Sequence, residues 1–302
     1  MNMDNLDNSD FLSGFIAIVG PPNAGKSTLL NRLLGSKVAI VSPKPQTTRN
    51  RILGILNGDG FQMAFMDTPG IHKTSTPLHK SMVSSAEEVF HEVDIIMLVI
   101  EMHRHDDPEI RLILKNIDKT GKPCVLIINK TDQLPKDAIL PIIDKYSGKH
   151  SFNSIIPISA LKGDGTDLVV SDLKSMLMPG PAFFPEDMLS DQSEAFLVSE
   201  IIREKIYFHT RKELPYSSAV TVDNIEEVPE KNLVSINARI HVESESQKAI
   251  MIGHKGKMIK AIGRSSRLEL EKLFGTRVFL GLIAKVEKNW SKDTRALRRL
   301  GY

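Results

Sequence analysis

FIAIVGPPNAGKSTLLN, residues 15–31, decides the fold of the first half of the chain. Residues 15–19 are an apolar, strand-forming run that reaches Gly20. Gly20, Gly25, Lys26 and Ser27 then fill every fixed place of GxxxxGK[ST], the phosphate-binding P-loop pattern. Glycines there let successive backbone N–H groups converge on phosphate oxygens at the start of a helix, where the dipole also favours negative charge. Lys26 adds a point charge at the β- and γ-phosphates, and Ser27 offers a hydroxyl to Mg²⁺. Pro21, Pro22, Asn23 and Ala24 fill the loop and Thr28 opens the helix, so all are candidate nucleotide contacts. The helix continues through residues 29–34 and stops at Gly35.

Working outward, residues 42–50 hold two prolines and two threonines and read as a loop. RILGIL and FQMAFMD follow as strands joined by Asn57, Gly58, Asp59 and Gly60, a hairpin signal. The second ends in Asp67, Thr68, Pro69 and Gly70, which puts a carboxylate where a Mg²⁺-bound water can be held. Further apolar runs at residues 94–100, 124–128 and 155–158 are separated by helical stretches, including 77–92 and 107–120. Strands alternating with helices imply a mostly parallel α/β sheet, with ligands beyond the carboxyl ends of the strands.

Each remaining motif falls at such an end: Asn129, Lys130, Thr131 and Asp132 after one run, Ser159, Ala160 and Leu161 after the next. The ordered set of P-loop, TT, DTPG, NKTD and SAL resembles the five signature elements of the translation-factor-type GTPases. The resemblance implies GTP and GDP as ligands with Mg²⁺, and Asp132 as acceptor of two hydrogen bonds from the guanine edge. Asn129 and Lys130 would buttress the loop and cover the base, and the backbone of residues 159–161 would meet the guanine carbonyl. Ser27, Asp67 and Thr48 form the implied Mg²⁺ set, with Thr47 as the alternative to Thr48. The candidate catalytic residues are Lys26, Thr48, Gly70 and Asn23. Many relatives place a glutamine after DxxG to orient water, whereas Ile71 stands there and cannot hydrogen-bond, so slow intrinsic turnover is expected. An asparagine at position 23 is associated in such GTPases with a bound K⁺, although it also suits a tight turn on its own account. His72 and His79, seven residues apart, do not resemble a zinc site.

Residues 178–191 hold three prolines and a glycine and read as a stiff linker. The expected organisation is a flexible N-terminus over 1–12, a P-loop GTPase domain over 13–178, a linker over 179–192 and a second domain over 193–302. That second domain reads helix, strand, strand, helix, helix, strand, with Gly253, His254, Lys255 and Gly256 between the last two helices. An IGxxGxxI core in this order resembles the KH domain in its prokaryotic (type II, α+β) arrangement, whose GxxG loop clamps about four nucleotides. Ile252 precedes the loop, His254 and Lys255 supply phosphate donors, and Lys257, Lys260, Arg264 and Arg267 lie along the next helix. Trp290 is expected to pack on this sheet rather than stack a base.

The charge distribution agrees. Residues 1–192 carry 19 Lys and Arg against 23 Asp and Glu, while residues 244–302 carry 14 against 5, which points to a polyanionic partner. The whole layout, with KPQTTR, PGPAFFPED and LRRLGY, resembles the bacterial ribosome-assembly GTPases that carry one KH domain. Pro21 and Lys255 stand where those relatives often carry Arg and Gly. The resemblance implies a GTP-dependent binder of the 3′ end of 16S rRNA that assists 30S subunit assembly, monomeric and cytoplasmic, with loose peripheral attachment to the inner membrane. The competing reading is a membrane-peripheral signalling GTPase whose basic end meets anionic lipid. Composition excludes other classes: no run approaches the ~18 apolar residues of a membrane span, the first ten residues do not read as a signal peptide, and the single Cys124 fits a reducing compartment.

Overall fold

The computed structural model describes residues 11–42, 44, 47–70, 78, 82 and 88–302. The expectations for Ile71, His72, His79 and residues 1–10 lie outside these. Contacts divide the described chain into two units: one holds the residues up to Ala39, from Thr48 to Gly70 and on to Asp191, the other Gln192–Tyr302 together with the segment Ile40–Thr47.

The first unit is built on a sheet in the order β2 (Ile52–Gly58), β3 (Phe61–Asp67), β1 (Leu12–Val19), β4 (Ile95–Glu101), β5 (Cys124–Asn129), β6 (Ser154–Pro157), with the short β7 (Met178–Pro179) pairing with the start of β1. Apart from the β2–β3 hairpin and β7, neighbours run parallel. The central strands are apolar throughout because both faces are covered, and β4 and β5 are buried almost end to end. The helix Pro108–Asp118 shows why a sequence folds this way locally. Asp107 caps it by accepting from the Glu109 N–H at 3.0 Å, and Ile110, Ile113, Leu114 and Ile117 recur at helical spacing and enter the core.

Register then places the chemistry. Ile18 stands opposite Asp67, which sets that carboxylate level with the end of β1 where the P-loop leaves. Glu101 stands opposite Asn129 two strands away.

The stretch 178–191, read as a linker, is instead laid along this unit. Phe183 stacks on Phe15 at 4.8 Å and Phe184 meets the same ring edge-on. Gln62, fully buried in β3, accepts from the Phe183 and Phe184 N–H groups at 2.7 and 3.0 Å and donates to the Phe184 carbonyl. Proline counting finds the stiffness but not this docking, which follows from two adjacent aromatic rings that gain by leaving water.

In the second unit β9 (Leu233–Val242) is central, antiparallel to β8 (Ala219–Val228) and parallel to β10 (Arg277–Val286). The helices Glu194–His209 and Lys257–Phe274 cover one face through Val198, Ile202, Ile206, Ile262 and Leu270, against Ile236, Ala238 and Ile240 of β9. This is the type II KH arrangement, so the chain is a mostly parallel P-loop α/β unit followed by an α+β KH unit. Residues of the segment 40–47 are held here by side chains: the Val41 N–H donates to Glu204 at 3.0 Å, and Arg203, buried against Glu200, donates to the Thr47 carbonyl at 2.6 Å. Trp290 packs, as expected: it is fully buried, donates from Nε1 to the Ser217 carbonyl at 3.0 Å and stacks on Tyr302. No helix among the described residues is long and apolar enough to cross a membrane.

Candidate functional site

The P-loop curls from the end of β1 into the helix Lys26–Leu34. Gly25 has φ 96°, and a Cβ there would lie 2.2 Å from Asn129 Nδ2, so only glycine lets this side chain come so close. Asn129 fastens three parts of the site together. Its Nδ2 donates to the Ala24 carbonyl at 2.8 Å, and its Oδ1 accepts from the N–H groups of Lys130 and Ala160 at 2.8 and 3.0 Å. Asn23 takes φ 65°, and Gly70, buried, lies so near the loop that a Cβ would be 2.9 Å from the Pro22 nitrogen.

Lys26 is 6% exposed and donates to the carbonyls of Gly20 and Pro21, each at 3.0 Å. Burial pushes its pKa down to about 8, against the pull of Asp67. Asp67 is fully buried, and desolvation raises its pKa to about 6 despite Lys26 nearby. Ser27 donates to Asp67 Oδ2 at 2.6 Å, and the Thr48 hydroxyl is 2.8 Å from Ser27 Oγ. The Thr47 hydroxyl is turned away, donating to the Lys44 carbonyl at 2.8 Å. The structure therefore groups Ser27, Thr48 and Asp67, and leaves Thr47 out. Among the described residues Asp67 Oδ1 is buried with no hydrogen-bond partner, an orphaned acceptor beside two hydroxyls. That hard-oxygen set fits Mg²⁺.

At the other end, Asp132 Oδ1 accepts from the Ser159 hydroxyl at 2.7 Å, and Lys130 reaches Glu101 at 2.9 Å. The Ala160 and Leu161 carbonyls are held by Arg32. Sequence reasoning did not find Arg32, since its role depends on a loop 128 residues away. Ala160 N–H is already committed to Asn129 and Ser159 N–H to the Asp164 carbonyl, so this stretch is wall as much as contact. Thr68 donates to the Ile18 carbonyl, which ties the DTPG turn to β1.

In the second unit the GxxG turn takes positive φ at Gly253 (72°), Lys255 (50°) and Gly256 (75°) before the helix Lys257–Phe274 begins. His254, Lys255 and Lys257 are exposed. Beside the turn runs a cleft of about 350 Å³ lined by Ile259, Lys260, Gly263, Arg264, Arg267, Leu280 and Leu282. Lys260 and Arg264 thus stand in the wall of a groove. Ile259, Gly263, Leu280 and Leu282 were missed. The helical partners were legible, since 259, 263 and 267 recur every four residues along one face. The leucines come from β10 and needed the strand order. Gly263 sits against β10, where a Cβ would make an ordinary contact with Leu282 at 3.5 Å.

Comparison with known proteins follows this division. Residues 15–130 match the family model described as 50S ribosome-binding GTPase, and residues 213–291 match the KH domain model. The chain is 53% identical to the GTPase Era of Syntrophus aciditrophicus over 97% of its own length and 95% of that protein's. It is 47% identical to the GTPase Era of Geobacter metallireducens over 98% of this chain and 100% of the other. Two solved structures superpose over 97% of this chain and 99% of theirs. One is an Era variant of Aquifex aeolicus bound to GDP·AlF₄⁻, at 40% identity and TM-score 0.93. The other is Era in complex with MgGDPNP and nucleotides 1506–1542 of 16S ribosomal RNA, at 41% and 0.94.

Proposed function

The chain belongs to the Era GTPase family, and from that premise we propose that it is a GTP-hydrolysing switch that, with GTP bound, grips the 3′ end of 16S rRNA and assists 30S subunit assembly. One observation carries the reading: a single chain joins a P-loop whose base end holds Asp132 to a GxxG turn heading a cation-walled cleft.

In this reading the backbone of residues 20–27 and the Lys26 ammonium take the phosphates. A desolvated ammonium whose hydrogen bonds go to two neutral carbonyls gains from an anionic ligand. Ser27, Thr48 and Asp67 would hold Mg²⁺, which would supply charge neutralisation at the phosphates. Asp132 accepts two hydrogen bonds from guanine, and adenine leaves it unpaired, a selectivity of up to ~10⁴. Ser159 keeps that carboxylate aimed. Ile71 orients no water, so turnover is slow, and we assign Asn23 to a K⁺ that stands in for an arginine finger. Turnover compared in K⁺ and Na⁺ checks this, and equal rates remove the assignment.

RNA enters beside residues 252–257, with Lys260 and Arg264 on its phosphates. The basic excess is assigned to RNA and not to anionic lipid, because lipid binding needs charge but no backbone-clamping turn. The protein acts as a cytoplasmic monomer in this reading, any membrane contact being peripheral. The test is cross-linking in cell extract with a GTP analogue and with GDP. The reading expects 16S-derived fragments enriched with the analogue, and recovery of none in either state overturns it.

A further inference from the structure

The edge strand β10 has two faces, and the cleft uses only one. Leu280 and Leu282 line the cleft. Phe279, Gly281, Ile283 and Lys285 alternate with them and face the opposite side of the sheet. Phe279 and Ile283 are 58% and 56% exposed, a ring and a branched aliphatic left in water on a strand with no outer neighbour among the described residues. They lie roughly 13 Å apart along the strand at ~3.3 Å per residue. Between them the Asn237 side chain of β9 lies over Gly281, where a Cβ would meet its Oδ1 at 2.4 Å.

Cations gather at the end of this strip. Arg239, Lys285 and Arg299 converge on a cavity of about 560 Å³ whose other walls include Thr221, His241 and Glu287. The acidic groups there are occupied. Asp223 pairs with Arg239 at 2.9 Å, and Glu287 takes both Arg299 and His241 Nδ1. His241 Nε2 is engaged with the Thr221 hydroxyl at 2.8 Å. Lys285 is in no ion pair among the described residues. Glu226 lies on β8, away from the edge.

We infer that this outer face is a second platform for single-stranded RNA, continuous with the cleft around the edge of β10. Phe279 and Ile283 meet bases, which bind aromatic and apolar platforms without sequence preference. Lys285 and Arg299 meet phosphates. A strand lying in the cleft is already against β10, and it reaches the outer face by passing its open edge. The inference rests on the reading of the GxxG turn as an RNA clamp.

The test uses the full chain loaded with a GTP analogue and two fluorescent 16S-derived oligonucleotides, one of six nucleotides that fills the cleft and one of fourteen that extends beyond it. Wild type is expected to bind the longer more tightly. F279A/K285A is expected to weaken the longer by about tenfold while leaving the shorter within twofold, and F279W/K285A to recover part of the loss. Both positions are exposed, and unchanged GDP affinity and circular dichroism check the fold. An unchanged longer probe overturns the platform, even if 30S binding falls, since the face would then serve a protein. Equal loss on both probes also overturns it. Wild type that binds neither probe overturns the RNA reading itself, a result distinguishable from failure of the platform alone.

Discussion

Two glycine turns in this molecule do the same electrostatic job in opposite surroundings. Gly25 at φ 96° and Gly256 at φ 75° each stand at the N-terminus of a helix, where unpaired N–H groups and the dipole favour an anion. The first turn is closed: Asn129 presses on it, Lys26 is buried behind it, and the next glycine in DTPG lies against it. The second is open: the nearest atom to a Cβ at Gly256 is the flexible Lys260 Cε at 3.8 Å, and its lysines stand in solvent. A closed turn holds one ligand in one pose, as in-line phosphoryl transfer requires. An open one lets a long strand be laid in and lifted out.

The comparison breaks most sharply at Gly25. Alanine there places a methyl 2.2 Å from Asn129 Nδ2 and strains a left-handed backbone. Asn129 must move, which releases Ala24, Lys130 and Ala160 together. We expect GDP affinity to fall at least a thousandfold, measured with a fluorescent nucleotide. Alanine at Gly256 meets only the backbone strain, on the order of 1–2 kcal/mol, and RNA affinity is expected to fall about tenfold or less. Similar losses at both positions would show that closure is not what separates the two turns.

Asp132→Asn sharpens the closed side alone. The amide donates where the carboxylate accepted, so guanine nucleotides are expected to lose about 10³-fold or more and xanthine nucleotides to gain correspondingly. Unchanged GTP binding would remove Asp132 from the base. RNA binding through the open turn has no part in this contact and stays intact when the protein is saturated with xanthine nucleotide.

Gly256→Asp attacks the open side. A carboxylate at the head of the helix repels the phosphates that the helix terminus attracts, and we expect RNA affinity to fall about a hundredfold in a filter-binding assay, with GDP affinity unchanged. A variant that still binds single-stranded rRNA would refute the clamp.

The closed turn was also the more legible in sequence. Gly20, Gly25, Lys26 and Ser27 sit within eight residues, and each later motif ends an apolar run, so the site could be assembled before any fold was known. What was not legible is what crosses the chain. Arg32 reaches residues 160 and 161, and Gln62 pins residues 183 and 184. The cleft shows the same limit within one element: Lys260 and Arg264 announce themselves by charge, whereas Leu280 and Leu282 look like any buried strand. Their place depends on β10 being an edge, and strand order is not written in local periodicity.

Lys255 offers the smallest test and the most discriminating one. It is the non-glycine residue that the open turn holds at φ 50°, a conformation costing an L-residue roughly 1–2 kcal/mol. Lys255→Gly removes that strain but adds ~0.5–1 kcal/mol of unfolded-state entropy. The two nearly cancel, so the midpoint of thermal unfolding is expected to shift by no more than a few degrees. RNA affinity at moderate salt is expected to drop less than about threefold, as one exposed cation is worth little. The salt dependence is where a phosphate contact shows itself. If Lys255 meets a phosphate, the slope of log K against log salt becomes shallower by about 0.7, the value for one contact on a single strand. An unchanged slope would mean that the open turn works through its backbone alone, as the closed one would without Lys26.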